Sequence, residues 1–409
     1  MRRHFESSNA EHNVGRPVRD GVQFRQLGEE DNVHLVSPFT AEEIKAAVWS
    51  CEGNKSPGPD GFNFNFIRTY WKFLEKDVVE FMNEFHTNSK LPKAISTSFL
   101  ALVPKKDVPQ SLGDYRPVSL IGSLYKILAK VLAARLKEVI GKLIDPIQSA
   151  FVPGRFILDG VLIVSELLDL AKRRKDKCFF LKVDFAKAYD SVSWSYLEYM
   201  LRRMGFDNRW VGWMRTCVRS NSISILVNGS PTEEFVAEKG LRQGDPLAPF
   251  LFLIAAEGLA GLMRSAVNLG LFKGFKVNDS LCYNMLQFAD DTILLCEGNW
   301  DNLWTIKSIL RSFELVSGLK INFDKRNIYG LNLEPHFLEE ASCFLSCRIG
   351  DFPFKFLGIP VGASPRKSST WKPVLDLMEW KGKHLSIGGR VVLINSVLSS
   401  LPLQEGGLD

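Results

Sequence analysis

Two places in the chain carry carboxylates whose surroundings argue against an ordinary surface role. In Phe179-Phe180-Leu181-Lys182-Val183-Asp184-Phe185, strand alternation puts Phe179, Leu181, Val183 and Phe185 on one face. Asp184 then points to the other face, at the end of the strand. In Gln287-Phe288-Ala289-Asp290-Asp291-Thr292-Ile293-Leu294-Leu295, two adjacent aspartates are wedged between apolar residues. Repulsion and desolvation make such a pair costly unless positive charge lies between its members. A divalent cation is the simplest compensation, because Mg²⁺ takes one or two carboxylates together with substrate phosphate oxygens. Three aspartates on two neighbouring strand ends would hold two ions about 4 Å apart, the arrangement used for in-line phosphoryl transfer. Taken singly, Asp290-Asp291 also reads as a solvated hairpin turn, and Asp184 as a helix cap or surface residue.

Basic residues and turns elsewhere bear on the same chemistry. The chain has 51 Lys and Arg against 46 Asp and Glu, a net charge of +5. Between residues 101 and 177 alone there are 14 basic and 8 acidic side chains. This stretch is a candidate phosphate-binding surface, with a merely solvated face as the plain alternative. Gly240-Leu241-Arg242-Gln243-Gly244-Asp245-Pro246 is a turn before an apolar helix from Leu247 to Met263. There Gly244 allows close backbone approach and Gln243 offers an amide donor and acceptor, although as a bare turn-to-helix entry the segment is unremarkable. Lys172-Arg173-Arg174-Lys175 reads as a solvated helix end or a nuclear-localisation run.

The elements that must position these residues alternate between strand and helix without a strict βαβ repeat, which favours an α+β fold. Residues 1–36 are polar and aperiodic and are expected to form a loosely ordered extension. Thr40 and Glu43 form a capping box before a helix, which ends at the Pro- and Gly-rich loop 53–61. Leu124 to Leu143 reads as an amphipathic helix with Lys126, Lys130 and Lys137 on its polar side. A further helix is expected from about Ser195, capped by Ser195 and Glu198. Asn228-Gly229 signals a hairpin. With 409 residues, 45% hydrophobic and 24% charged, a sizeable core is expected and collagen-like, disulfide-rich and disordered classes are excluded. The seven cysteines read as free thiols in a reducing compartment. The longest apolar run, Phe250 to Ala256, is far short of the roughly 20 residues of a membrane span, and the start lacks a signal-peptide core. The expectation is a soluble, intracellular protein without a membrane partner.

The motifs fall in a recognisable order. They run Lys55-Ser56-Pro57-Gly58-Pro59-Asp60-Gly61-Phe62, Tyr115-Arg116-Pro117-Val118-Ser119-Leu120, Gln148-Ser149-Ala150-Phe151-Val152-Pro153-Gly154-Arg155 and Val183-Asp184-Phe185-Ala186-Lys187-Ala188-Tyr189-Asp190-Ser191-Val192. The Gly240–Leu247 turn, Phe288-Ala289-Asp290-Asp291-Thr292, Ser317-Gly318-Leu319-Lys320-Ile321-Asn322 and Phe356-Leu357-Gly358-Ile359-Pro360 follow. From about Pro38 to Pro402 the chain resembles the reverse transcriptase of a LINE-type (non-LTR) retrotransposon, most like the plant elements.

The resemblance implies a right-hand polymerase: fingers at 37–177, palm at 178–362 and a truncated thumb at 363–409. It implies RNA-directed DNA synthesis with two Mg²⁺ or Mn²⁺ ions, dNTPs, an RNA template and a DNA primer. Asp184, Asp290 and Asp291 match the metal-binding carboxylates, and Lys325 matches a lysine that assists the departing pyrophosphate, with a surface turn as its plain alternative. Tyr189 matches an aromatic gate under the sugar; close family members more often carry Phe. Lys105, Lys106 and Arg116 would touch triphosphate or template backbone, as would Gln243 and Gly244 the substrate. Arg155 would contact template, and Phe356, Leu357 and Gly358 the primer strand. The family's life cycle implies a nuclear site of action. No endonuclease or Cys/His knuckle is legible, and the alternative to a working polymerase is a non-catalytic nucleic-acid-binding remnant. A group II intron-type maturase shares palm and fingers, but the Lys55–Gly61 and Phe288–Asp291 blocks fit the LINE type better. Oligomeric state is left open.

Overall fold

The computed structural model describes residues 1–363 apart from 12–14, 18–20, 221 and 323–324, together with residue 372. Of the expected thumb, residues 364–371 and 373–409 lie outside the described residues. The chain divides into two compact units, each assembled from separated stretches. The first comprises 1–145, 186–262 and 311–320; the second comprises 146–185, 263–310 and 321 onward. This division does not follow the expected linear boundary at 177/178.

The first unit is built on the strands Ser98–Pro104, Tyr115–Ile121 and Ser222–Val227. Ser98–Pro104 lies in the middle, antiparallel to Tyr115–Ile121 and parallel to Ser222–Val227. Asn228 and Gly229, both at positive φ, turn the chain back onto Ser230–Pro231, as the hairpin signal requires. The Ser123–Leu143 helix starts one residue before its expected position and buries Leu128, Val131, Leu132, Leu136 and Ile140. Its Arg135, 3% exposed, forks onto Glu43 at 2.7 and 2.8 Å and donates to the carbonyls of Leu35, Ser37 and Pro38. Glu43 therefore supplies only half of the expected capping box. Its amide bonds Thr40 Oγ1 at 3.1 Å, while its carboxylate serves Arg135.

Two local expectations are corrected here. Residues 1–36 are not loosely ordered throughout: Arg2–Asn9 and Glu29–Val36 are helices. Phe5 packs with Leu100, Trp194, Ile223 and Phe235, and Val22, Leu27 and Leu35 are also buried. Short helices with isolated apolar residues carry no periodic signal and are held by tertiary packing. The helix expected from Ser195 is Trp194–Arg203, so Ser195 lies inside it and caps nothing. Glu198 instead pairs with Arg202, Arg215 and Arg219.

The second unit carries a five-stranded sheet in the order Arg348–Ile349, Asn327–Leu331, Cys178–Val183, Asp291–Glu297, Met285–Phe288. Cys178–Val183 is central and antiparallel to both neighbours, with Thr292 opposite Val183 and Asn327 opposite Lys182. The Ile157–Arg174 helix lays Leu158, Val161, Val164 and Leu168 into a core with Phe180, Ile293, Leu295 and Tyr329. The helix Ala248–Asn268 is long and apolar enough to cross a membrane, but 78% of its most apolar stretch is buried within the protein, as in a core helix. All seven cysteines are free; four are buried, whereas Cys282 and Cys343 are exposed.

The Arg135 cluster yields a stability prediction. Arg135→Leu leaves Glu43 and three carbonyls without their donor and is expected to cost about 3 kcal/mol, the lower end for breaking a buried pair. Urea unfolding of the two proteins measures it.

Candidate active site

The strand Cys178–Val183 is locked on both sides, so the residue that follows it has a fixed exit. The Asp184 carbonyl accepts from Asn322 N–H at 2.8 Å, and Phe185 bridges to Ile321. On the neighbouring strand, Asp291 pairs with Phe288, leaving Ala289 and Asp290 as a two-residue turn. Ala289 takes φ of 53°, a left-handed conformation that costs an L-residue roughly 1–2 kcal/mol. Since Thr292 is opposite Val183, register brings Asp291 beside Asp184. The three aspartates predicted from sequence thus come from two adjacent strand ends.

Their electrostatics are those of a crowded acidic site. Burial pushes the Asp290 carboxyl above the usual range, and Asp291 and Asp184 push it further. Burial likewise raises Asp291, with Asp184 adding to it and Lys182 and Lys325 opposing. Lys325 Nζ lies 2.9 Å from Asp184 Oδ2, and this bond holds its ammonium above its ordinary pKa. Lys325 is thereby brought to the carboxylates, although its side chain is 69% exposed. Three carboxylates facing Lys325 and Lys182 leave an unneutralised negative charge, and that surplus fits divalent cations. Among the described residues no three acidic, Cys or His side chains form a ready-made ligand set.

Other residues expected in this unit are placed less simply. Arg155 donates through Nη1 to the Gln148 carbonyl at 2.5 Å, which gives it a structural partner within its own loop. Phe356 is 1% exposed and part of the core under the Ile157–Arg174 helix, so its ring offers no contact surface. In that hairpin Lys355 and Gly358 are exposed and Leu357 half-buried, with Leu357 and Gly358 both at positive φ. Lys182 was not singled out from sequence; its charge acts on Asp291, and its Nζ donates to the Lys355 carbonyl at 3.0 Å.

The first unit gathers the remaining predicted residues around the turn 240–246. Leu241 N–H donates to the Tyr189 carbonyl at 2.7 Å, and the Gln243 carbonyl accepts from Ser119 N–H at 2.8 Å. Gly244 has φ of 105°, and a Cβ there would come within 3.2 Å of the Ser119 carbonyl oxygen. Beneath the turn, buried Asp245 accepts from the Tyr125 hydroxyl at 2.6 Å. The Tyr189 ring stacks on Phe252 with centroids 4.9 Å apart. On the Ser98–Ile121 hairpin, Lys105 Nζ donates to the Gly113 carbonyl, and Lys106 pairs with Asp114 at 2.9 Å and holds that carboxyl well below its usual range. Arg116 is exposed, opposite Val103.

A cavity of about 860 Å³ in this unit is lined by Lys55, Ser119, Lys126, Lys130, Lys137 and Gly244. Burial pushes the Lys126 ammonium down from its ordinary pKa, and Lys55 and Lys130 add repulsion. The sequence shows the three helix lysines on one side but not that the side faces a cavity.

The description "Reverse transcriptase (RNA-dependent DNA polymerase)" belongs to the family model that matches residues 103–361, more than half of the chain. The chain belongs to this family. Its relatives include a protein of Xenopus laevis described as "Transposon TX1 uncharacterized 149 kDa protein", 31% identical over 91% of this chain and 29% of that protein. Another is the Drosophila melanogaster "Retrovirus-related Pol polyprotein from type-2 retrotransposable element R2DM", 29% identical over 73% of this chain and 27% of that protein. Both relatives are named as proteins of transposable elements, and the chain spans between a quarter and a third of their length. A solved telomerase from Candida Tropicalis, in complex with a fragment of telomeric RNA, is similar at a TM-score of 0.47 and 12% identity, over 83% of this chain and 57% of that one.

The raised carboxyls carry a signed pH prediction. An acid whose pKa is raised by folding binds more protons in the folded state, so its cost to stability is present above the folded pKa. That cost disappears as pH falls to the unfolded value. Asp290→Asn is therefore expected to melt at a higher temperature than wild type at neutral pH, with the difference closing below the ordinary carboxylate range. Thermal scans across pH test this.

Proposed function

We propose that the chain is an RNA-directed DNA polymerase that adds dNTPs to a DNA primer on an RNA template, derived from a non-LTR element. We take the narrower plant affiliation, and a nuclear site of action, as part of this reading; the likeness of the motif blocks supports the first and the family's life cycle the second. The observation that carries the proposal is the convergence of Asp184, Asp290 and Asp291 at two strand ends with Lys325 bonded to Asp184.

When bound by these aspartates, two divalent ions supply positive charge that lowers the pKa of a primer 3′-hydroxyl and neutralises the leaving pyrophosphate. Asp184, Asp290 and Asp291 hold the acidic pocket open on rigid strand ends. Lys325 neutralises Asp184 before substrate arrives and, as an ammonium, carries charge and a proton toward the pyrophosphate. Tyr189, backed by Phe252, forms a flat plate beneath the sugar that clashes with a 2′-hydroxyl. Gln243 and Gly244 meet the nucleotide with backbone fixed by Ser119. Arg116, Lys105 and Lys106 take phosphates, and the lysine-lined cavity suits the backbone of the template strand. The fingers, palm and thumb assignments belong to the same reading.

The first test is primer extension on an RNA template with dNTPs and Mg²⁺ or Mn²⁺. Wild type is expected to extend and the Asp290→Ala, Asp291→Ala double variant to bind the hybrid without extending it. If both bind and neither extends, the chain is a nucleic-acid-binding remnant and the polymerase reading is lost. In the same assay, Tyr189→Ala is expected to reduce the preference for dNTP over NTP by about tenfold or more, as loss of a steric contact would. An unchanged ratio removes Tyr189 from the sugar.

A further inference from the structure

One buried side chain touches the aspartate turn directly and has no role in the reading above. Gln148, 2% exposed, places its amide against both polar backbone atoms of Ala289. Its Oε1 accepts from Ala289 N–H at 2.8 Å, and its Nε2 donates to the Ala289 carbonyl at 3.3 Å. That pairing fixes the orientation of the amide without ambiguity, because an N–H needs an acceptor and a carbonyl a donor. Oε1 also accepts from Ala150 N–H at 3.1 Å, which holds the side chain from its own side.

The position of Gln148 is itself fixed. Ser149 N–H donates to the Gln287 carbonyl at 2.9 Å and Gln287 N–H to the Ile147 carbonyl at 2.8 Å, so residues 147–149 lie along the sheet edge like a short added strand. Arg155 closes the loop from behind by donating to the Gln148 carbonyl. Ala289, the residue so held, is left-handed, lies outside the strand ladder and immediately precedes Asp290. Fixing both of its polar atoms fixes the two peptide planes that flank it, and with them the direction in which Asp290 leaves the backbone.

We propose that Gln148 is a positioning residue for the aspartate pair, an amide clamp that aims Asp290 and Asp291 at the ions they would hold. This rests on the reading of the aspartates as metal ligands. Residues that orient ligands from behind typically cost 10–100-fold in metal affinity when removed. Only glutamine has the length and the donor–acceptor pair for this contact: methionine has the length without the polar atoms, and asparagine the polar atoms without the length.

The test is Mn²⁺ titration of the full chain followed by electron paramagnetic resonance, paired with amide hydrogen exchange and primer extension. Gln148→Met is expected to weaken Mn²⁺ binding by about tenfold or more. Exchange should accelerate at residues 289–291 but not across the sheet, and kcat should fall while the KM for primer–template holds. Gln148→Asn, the gentler change should the methionine variant not fold, is expected to act in the same direction. Ser149→Ala, which removes a neighbouring bond to the Gln287 carbonyl, should leave Mn²⁺ binding unchanged. Unaltered Mn²⁺ affinity in Gln148→Met and Gln148→Asn overturns the proposal, and so does accelerated exchange spread over the whole sheet. Wild type binding no more Mn²⁺ than the Asp290→Ala, Asp291→Ala variant instead sinks the metal reading, and with it the role proposed for Gln148.

Discussion

Like charges at close quarters set the terms for the second unit. Asp184, Asp290 and Asp291 repel one another and are partly withdrawn from water, so a flexible chain would separate them. The fold prevents this by making their attachment points unable to move. Asp184 follows the central strand of a five-stranded sheet, paired on both sides, and Asp291 opens the adjacent strand. The apolar residues on both faces of Cys178–Val183 supply the packing that keeps the strand in place. Lys325 relieves part of the repulsion from an exposed position, where it can be exchanged at low cost for another cation.

A comparable logic governs the first unit, where hydrogen bonds from several segments join a buried Arg242–Asp245 pair. The turn 240–246 touches the Tyr189 carbonyl, the Ser119 amide and the Tyr125 hydroxyl, so three separate segments define one piece of backbone. Gly244 is needed where that backbone passes the Ser119 carbonyl, since its φ and the spacing both disfavour a side chain. Rigidity here comes from many modest hydrogen bonds, each made by a residue that itself belongs to an ordered element.

What the sequence made legible was local. The Cys178–Val183 strand, the hairpin carrying Asp290-Asp291, the Asn228-Gly229 turn and the Ser123–Leu143 helix all follow from periodicity or turn chemistry. The aspartates stood out because carboxylates between apolar residues need an explanation. The illegible features are those made by partners distant in the chain. Gln148 and Ala289 are 141 positions apart, and nothing in the composition near Gln148 marks it as a clamp. Phe356 looked available because its neighbours resemble a contact hairpin, yet its apolar ring is better accommodated in the core. The capping pair Ser195–Glu198 fit a local pattern, but arginines on the same helix and the next one competed successfully for Glu198.

The interleaved order of the segments bears on how the molecule is born. The strand that leads to Asp184 receives its first neighbour from residues 291–297 and its other from 327–331. During synthesis at about 5–20 residues per second, that strand leaves the ribosome many seconds before either partner exists. For that interval Phe179, Phe180, Leu181 and Val183 have no sheet to join, and two unpaired edges stand open to wrong pairing. The aspartates can converge only after almost the whole of the described chain has been made. Until then the nascent protein has no assembled aspartate cluster, and its central strand keeps both edges open.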